Sequence, residues 1–203
     1  QIEAEIKRIL AELTQKIAKY ADEILSTLDL LADFDFIFAK AKYSIELKAV
    51  EPELNNEKFM HIKALKHPVL MKIIENVVAN DIIIGKSFNS LIITGSNTGG
   101  KTVMLKATGL CILMTKAGLH VPADEAYIYP FKKVFADIGD EQSVIQSLST
   151  FSGHITNIIS IVDNADDDSL VILDEVGAGT DPSEGSALAQ AILEYLQEKD
   201  AKT

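Results

Sequence analysis

Apolar side chains recur on a helical beat through the first part of this chain. Ile2, Ile6, Ile9, Leu13, Ile17, Tyr20, Ile24 and Leu28 follow one another in steps of three and four, with Glu, Lys and Gln between them. No Gly or Pro occurs before Pro52. The pattern predicts one amphipathic helix over residues 1–26 and a second, rich in Leu, Phe and Ala, over residues 27–42. The pair reads either as an antiparallel helical module or as the base of a coiled lever arm. From Tyr43 to Lys66 the pattern loosens, and Pro52, Asn55 and Asn56 mark turns. His67-Pro68-Val69-Leu70 opens a β-rich region in which Val77, Val78 and Ile82, Ile83, Ile84 read as edge strands around a turn at Asn80-Asp81.

The second half reads as strands alternating with helices. A strand at residues 91–94 leads to a helix that begins at Thr102 and runs to about Lys116, with Gly118 as its stop. Lys132 to Ile138 (KKVFADI) reads as another strand, followed by a polar, acidic loop from Gly139 to Ser147. A helix then places Ile155, Ile158, Ile159 and Val162 on one face, and Asp166-Asp167-Asp168 reads as a solvated turn. The apolar run Ser169-Leu170-Val171-Ile172-Leu173 suits a buried parallel strand. Asp181-Pro182-Ser183-Glu184 carries an N-cap carboxylate, a proline at the first helical position and Glu at the third. The helix it starts reaches about Lys199, with Leu188, Ile192, Tyr195 and Leu196 inward. Neither an internal repeat nor a low-complexity tract interrupts this order.

Two segments carry chemistry. Residues 91–102 read LIITGSNTGGKT, a hydrophobic strand running into G-x-x-x-x-G-K-T, the glycine-rich phosphate cradle of P-loop NTPases. Gly95, Gly99 and Gly100 let the backbone turn sharply and aim its N–H groups at phosphate oxygens, with Ser96, Asn97 and Thr98 completing the loop. Lys101 can reach the β- and γ-phosphates as a point charge, Thr102 offers a hydroxyl to Mg²⁺, and the helix N-terminus faces the anion. The second segment is the strand ending in Asp174 and Glu175. Read alone, it is a core strand with a solvated acidic end. Behind a P-loop, Asp174 is placed to hold Mg²⁺ and Glu175 to orient or deprotonate an attacking water. ATP and Mg²⁺ are therefore the expected ligands.

Composition narrows the picture further. The 203 residues are 47% hydrophobic, enough for one substantial domain plus a smaller appendage. The net charge of −11 offers no basic stripe of the kind that grips nucleic acid, so any such surface is expected outside this stretch. The single cysteine, Cys111, lies in the apolar helix after the loop and reads as a core thiol; a disulfide framework is excluded and a reducing cytoplasm fits. No uninterrupted apolar run approaches a membrane span. The start at Gln1, and a last strand–helix unit with no strand to close it, lead us to expect a piece of a longer protein.

GSNTGGKT resembles the P-loop of the MutS family of ABC-type ATPases. Ser149-Thr150-Phe151 resembles that family's STF element, and residues 174–182 (DEVGAGTDP) resemble its Walker B motif and D-loop run together. FADIGDEQSVIQSLSTFS (residues 135–152) and DEVGAGTDPSEGSALA are similar to the family's second branch rather than to mismatch-recognising MutS proper. The resemblance is strong over residues 65–199 and weak over the first helices. Two departures are small: Ser96 stands where proline is usual, and Val176 where Leu or Ile is common.

The resemblance implies an α/β fold: a P-loop NTPase of ABC/MutS type with a mixed sheet flanked by helices (residues 65–203), preceded by a small helical lever or core subdomain (residues 1–64). It implies a head-to-tail homodimer that sandwiches ATP, with Ser149 and Thr150 acting in trans near the γ-phosphate. It also implies a cargo of branched or recombining DNA, or stalled ribosomes, handled by regions outside this stretch, and a nuclease domain elsewhere. The family's switch histidine lies on a strand after the last helix, a position that His61, His67, His120 and His154 do not match. Entry of His67-Pro68 near the adenine pocket is also implied, although a turn or core role for His67 is the simpler reading. A mismatch-repair ATPase of the first branch, and a clamp in which nucleotide binding matters more than turnover, are the rival functions.

Overall fold

The computed structural model describes residues 2–96, 99–139, 147–178 and 180–203, with side chains at 147–152 left aside. It divides into two units, residues 1–43 and 44–203. The division falls earlier than the expected boundary at residue 64, because residues 53–65 contribute two strands to the sheet of the second unit.

The first unit holds α1 (Ile2–Ala18) and most of α2 (Ala21–Leu47). The Tyr20 N–H donates to the Ile17 carbonyl at 2.9 Å, and the Ile24 N–H to the Tyr20 carbonyl at 2.9 Å. These bonds mark the turn at residues 19–20 and the first turn of α2, which starts three residues after α1 ends. No residue of α1 is buried, and the only buried residue of α2 is Leu47, in the second unit. The stripe of Ile and Leu that predicted an amphipathic helix is present but exposed.

The second unit carries two sheets. The first has the order β1 (Glu53–Leu54), β4 (Glu125–Ile128), β2 (Met60–Leu65), β3 (Asn80–Ile84). β1 runs parallel to β4, and β2 lies antiparallel to both β4 and β3. Asn80 and Asp81 thus stand inside a strand instead of making a turn, and Val77 and Val78 lie outside it. The reason is a bulge in β2 between Ile62 and Leu65, where Ala64 takes a φ of 54°. The freed Ala64 N–H donates to the Asp81 carboxylate at 2.8 Å, which anchors Asp81 to the sheet. β2 and β4 escape a pattern reading because Met60–Leu65 carries His and Lys among its apolar positions and Glu125–Ile128 is only four residues long.

The second sheet pairs β5 (Lys133–Asp137) with β6 (Ser169–Leu173) in parallel, from Lys133 opposite Ser169 to Asp137 opposite Leu173. Between them runs α4 (Ser147–Asn164). Val171 faces a core of Ile158 and Ile161 from α4, Ala165 just after that helix, and Ile192 and Leu196 from α5 (Pro182–Glu198). On the other face Ile172 meets α3 (Lys101–Lys116), where a Cβ on Gly109 would stand 3.0 Å from Ile172 Cδ1. The apolar run of β6 is continuous because both its faces are covered. Ile159 and Tyr195 stay exposed at 55% and 44%, contrary to their expected inward placement; Ile161 takes the inward position in α4. Asp181 caps α5 as expected, its carboxylate accepting from the Ser183 and Glu184 N–H groups. Gly118, at φ 68°, ends α3.

Residues 91–94 do not form the expected strand. Leu91 N–H donates to the Thr203 carbonyl at 2.8 Å and Thr203 N–H to the Asn89 carbonyl at 2.9 Å, while Lys202 bridges Leu170 of β6. Beyond Leu91 no ladder partner is recorded among the described residues, and Ile92 is 69% exposed.

Asp166-Asp167-Asp168 is a largely solvated turn, as expected, and also an acceptor hub. Lys132 Nζ donates to Asp168 at 2.5 Å, Lys133 Nζ to Asp166 at 2.6 Å, and the Tyr129 hydroxyl and Lys58 also reach Asp168 and Asp167. Lys132, and then the Tyr129 hydroxyl, hold the Asp168 carboxyl well below the usual carboxylate range. A carboxyl depressed on folding stabilises above its unfolded value and loses that contribution as pH falls towards its folded value. Asp168→Asn should therefore lower the thermal midpoint by a constant margin from neutral pH down to about pH 5, and the margin should shrink below about pH 4. Melting curves of both proteins across that range check this.

Candidate functional site

The glycine-rich loop joins residue 94 to α3. Gly95 has a φ of 149° and Gly100, the N-cap of α3, has a φ of 80°. A Cβ at either would meet nothing within 4 Å, so conformation rather than space requires glycine there. The Gly99 N–H donates to the Ser96 carbonyl at 3.0 Å. Lys101, first residue of α3, turns its ammonium back over the loop and donates to the carbonyls of Gly95 at 2.8 Å and Ser96 at 2.9 Å. The site thus combines an open-sided loop, a cation within it and a helix N-terminus, an arrangement that suits a phosphate chain. Asn97 and Thr98 lie outside the described residues.

Next to Lys101, the Thr102 hydroxyl donates to Asp174 Oδ2 at 2.6 Å. Asp174 immediately follows β6, and its N–H donates to the Asp137 carbonyl of β5 at 2.8 Å. Two oxygens this close can both reach one octahedral ion with bonds of about 2.0–2.1 Å. The hydroxyl and carboxylate therefore fit Mg²⁺, a hard ion that prefers oxygen ligands. The helix and strand ends bring Lys101, Thr102 and Asp174 together as the sequence predicted.

Glu175 follows with a φ of 50°, a left-handed backbone that costs a non-glycine residue roughly 1–3 kcal/mol. The turn behind it is locked by two glycines. Gly177 has a φ of 83°, and a Cβ there would stand 2.4 Å from the Gly185 carbonyl oxygen; a Cβ on Gly185 would stand 2.5 Å from the Gly177 oxygen. The first turns of α5 thus press backbone to backbone on the loop that carries Glu175. Lys101, Asp174 and Glu175 also line a cavity of about 320 Å³ whose wall is largely aliphatic and includes Ile84, Ile93 and Ile172. Ser149 and Thr150 lie in the first turns of α4, but their side chains are outside the described set.

The remaining candidates are structural. Cys111 is fully buried, and burial pushes its thiol up to about 12. His67 is a turn histidine: its Nδ1 accepts from the Leu70 N–H at 3.4 Å in a single 3₁₀ turn, and burial together with the Lys106 charge lowers its pKa. The pattern reading missed one polar cluster. Asp137, 6% exposed, accepts from His154 Nδ1 at 2.9 Å and from Asn157 Nδ2 at 2.8 Å. The signal available was a His and an Asn on the same helical face as Ile158 and Ile161.

Fold and site define a mixed α/β protein with a glycine-rich anion cradle and an acidic strand end. A family model described as MutS domain V matches residues 91–203, and the chain belongs to the MutS family. Its similarity is to the MutS2 branch. It is 52% identical over 199 residues to Endonuclease MutS2 of Bacillus cereus (strain Q1), 98% of this chain and 25% of that protein. Endonuclease MutS2 of Bacillus cytotoxicus is 50% identical over the same shares, and that of Bacillus thuringiensis (strain Al Hakam) 52%. The chain spans about a quarter of the length of the relatives it matches.

Gly177→Ala should destabilise the second unit by more than about 1 kcal/mol, since it combines a left-handed backbone with a carbonyl clash. Urea denaturation followed by circular dichroism measures it; an unchanged midpoint would mean that the Gly177–Gly185 contact constrains nothing.

Proposed function

We propose that this stretch is the ATP-binding and ATP-hydrolysing module of a MutS2-type protein, and that nucleotide drives closure of a homodimer. The observation that supports this most is the 2.6 Å hydrogen bond from Thr102 to Asp174, made beside an ammonium that caps the glycine-rich loop. Lys101 and Asp174 line one cavity, with the Thr102 hydroxyl bonded to that carboxylate. In this reading, Lys101 and the loop amides offset the negative charge that gathers on the transferring phosphoryl group. Thr102 and Asp174 hold Mg²⁺, which supplies further neutralisation of phosphate charge when bound. Glu175, held by the turn that ends at Gly177, orients the attacking water.

Ser149 and Thr150 of a second copy complete the site across a head-to-tail dimer. A hydroxyl at a helix N-terminus favours a terminal phosphate, so ATP closes the dimer and hydrolysis releases it. The motion is carried to a cargo of branched DNA or stalled ribosomes, in the cytoplasm, by the part of the protein outside this stretch. The nuclease activity in the relatives' name belongs to that part as well. Half-identity to MutS2 proteins favours the second branch over a mismatch-repair ATPase.

Titration calorimetry with Mg-ADP tests binding: Lys101→Ala should abolish the heat that the unmodified chain gives, and an unmodified chain without heat would end the proposal. Glu175→Gln should keep nucleotide affinity while turnover falls about 100-fold or more. Unchanged turnover in that variant would remove Glu175 from the chemistry. Retained cargo release in a variant without turnover would favour the binding-gated clamp.

A further inference from the structure

We propose that Asp137, His154 and Asn157 are positioning residues that couple α4 to the nucleotide-side end of β6. The inference rests on the reading above, in which the first turns of α4 meet the γ-phosphate held by a second copy. Asp137 is the last residue of β5 and works on two sides at once. Its carbonyl accepts the Asp174 N–H at 2.8 Å, which fixes the strand end bearing the metal-side carboxylate. Its side chain, almost fully buried, accepts from His154 Nδ1 and Asn157 Nδ2, one donor on each oxygen. Asn157 Nδ2 also lies 3.3 Å from the Ala136 carbonyl.

The helix is therefore held by two different kinds of contact. Its second half is fixed by apolar packing of Ile158 and Ile161 against Val171, Ile192 and Leu196. At mid-helix, just before Ile158, His154 and Asn157 make polar contacts to Asp137 and Ala136. Because a buried carboxylate accepts hydrogen bonds only in fixed directions, the link fixes the middle of α4 on β5 where aliphatic packing would tolerate a slide, and so aims the turns that precede it. Gly139 completes the arrangement. A Cβ there would stand 3.0 Å from His154 Cε1 and 3.2 Å from Nε2, so the imidazole lies flush on the chain that leaves β5. An acceptor-only carboxylate also fixes Nδ1 as the protonated nitrogen. One residue thus ties Asp174, on its own copy's nucleotide, to the helix that reaches the other copy's nucleotide.

The test uses the full chain and the variants His154→Ala, His154→Asn and Asn157→Ala. Four quantities are measured: Mg-ADP affinity, thermal midpoint, kcat and KM for Mg-ATP, and ATP-dependent self-association by sedimentation. His154→Ala should lower kcat about ten- to a hundred-fold, the scale expected from misplacing a reacting group. KM and Mg-ADP affinity should stay within about two-fold, since ground-state binding is untouched. Self-association in ATP should weaken in parallel, a readout that needs no turnover. His154→Asn, whose amide nitrogen can replace Nδ1 as donor, should recover most of the loss, and Asn157→Ala should lose part of it. Unaltered kcat and self-association in His154→Ala would overturn the proposal. So would a loss shared equally by His154→Asn and accompanied by a lowered thermal midpoint, which would mark the histidine as packing alone. An unmodified chain that fails to bind Mg-ADP overturns the underlying reading, and the inference with it.

Discussion

The hydrogen bond between Thr102 and Asp174 joins the first turn of α3 to the end of β6, and the geometry of the site follows from that junction. The helix start and the strand end are 72 residues apart in sequence, and the bond adds a polar tie to the packing of α3 on Ile172. Lys101 and Glu175 are chain neighbours of the joined residues, and both line the same cavity as Asp174. Both flanks are then braced by backbone. On one, the Gly100 cap starts α3; on the other, the Asp137 carbonyl holds the Asp174 N–H. A short, charge-assisted bond of this kind is stronger than a neutral one, and the parts it connects are already ordered by the sheet.

A second junction works at the opposite end of β6. The chain carries a surplus of acid, yet three of its lysines, Lys58, Lys132 and Lys133, converge on the turn at residues 166–168. Tyr129 joins them from the segment after β4. The turn therefore links the four-stranded mixed sheet to the parallel pair, although among the described residues no strand of one is hydrogen-bonded to a strand of the other. β6 is anchored at its start by ion pairs and at its end by hydrogen bonds beside the glycine-rich loop.

How much of this could be read beforehand depended on whether a signal was local. The glycine loop, the acidic strand end and the Asp181 cap are contiguous in sequence, and the structure brings Lys101, Thr102 and Asp174 together as their order implied. Continuous runs such as Ser169–Leu173 were legible because both faces are buried. Met60–Leu65 was not, because a half-buried, bulged strand interleaves His and Lys with its apolar residues. Asp81 misleads for the same reason: its carboxylate serves a bulge on another strand, where a local reading sees a turn former. The 166–168 hub leaves no local mark, since its lysine partners lie between 33 and 109 residues away, and the Asp137 link leaves only a His and an Asn on the apolar face of α4. The helical beat of α1 was legible as a helix but not as a buried one, because periodicity reports an apolar face and not its partner.

The fully enclosed position of Cys111 has a practical side. It is the chain's one thiol, with no measurable surface and a proton held far into the alkaline range. Alkylating dyes attack the thiolate, so the native protein is effectively silent towards them at neutral pH. A cysteine introduced on an exposed helix face would be the sole reactive handle without any need to remove the native one. Fluorescence or spin-label reporters of helix motion can therefore be installed on an otherwise unaltered core.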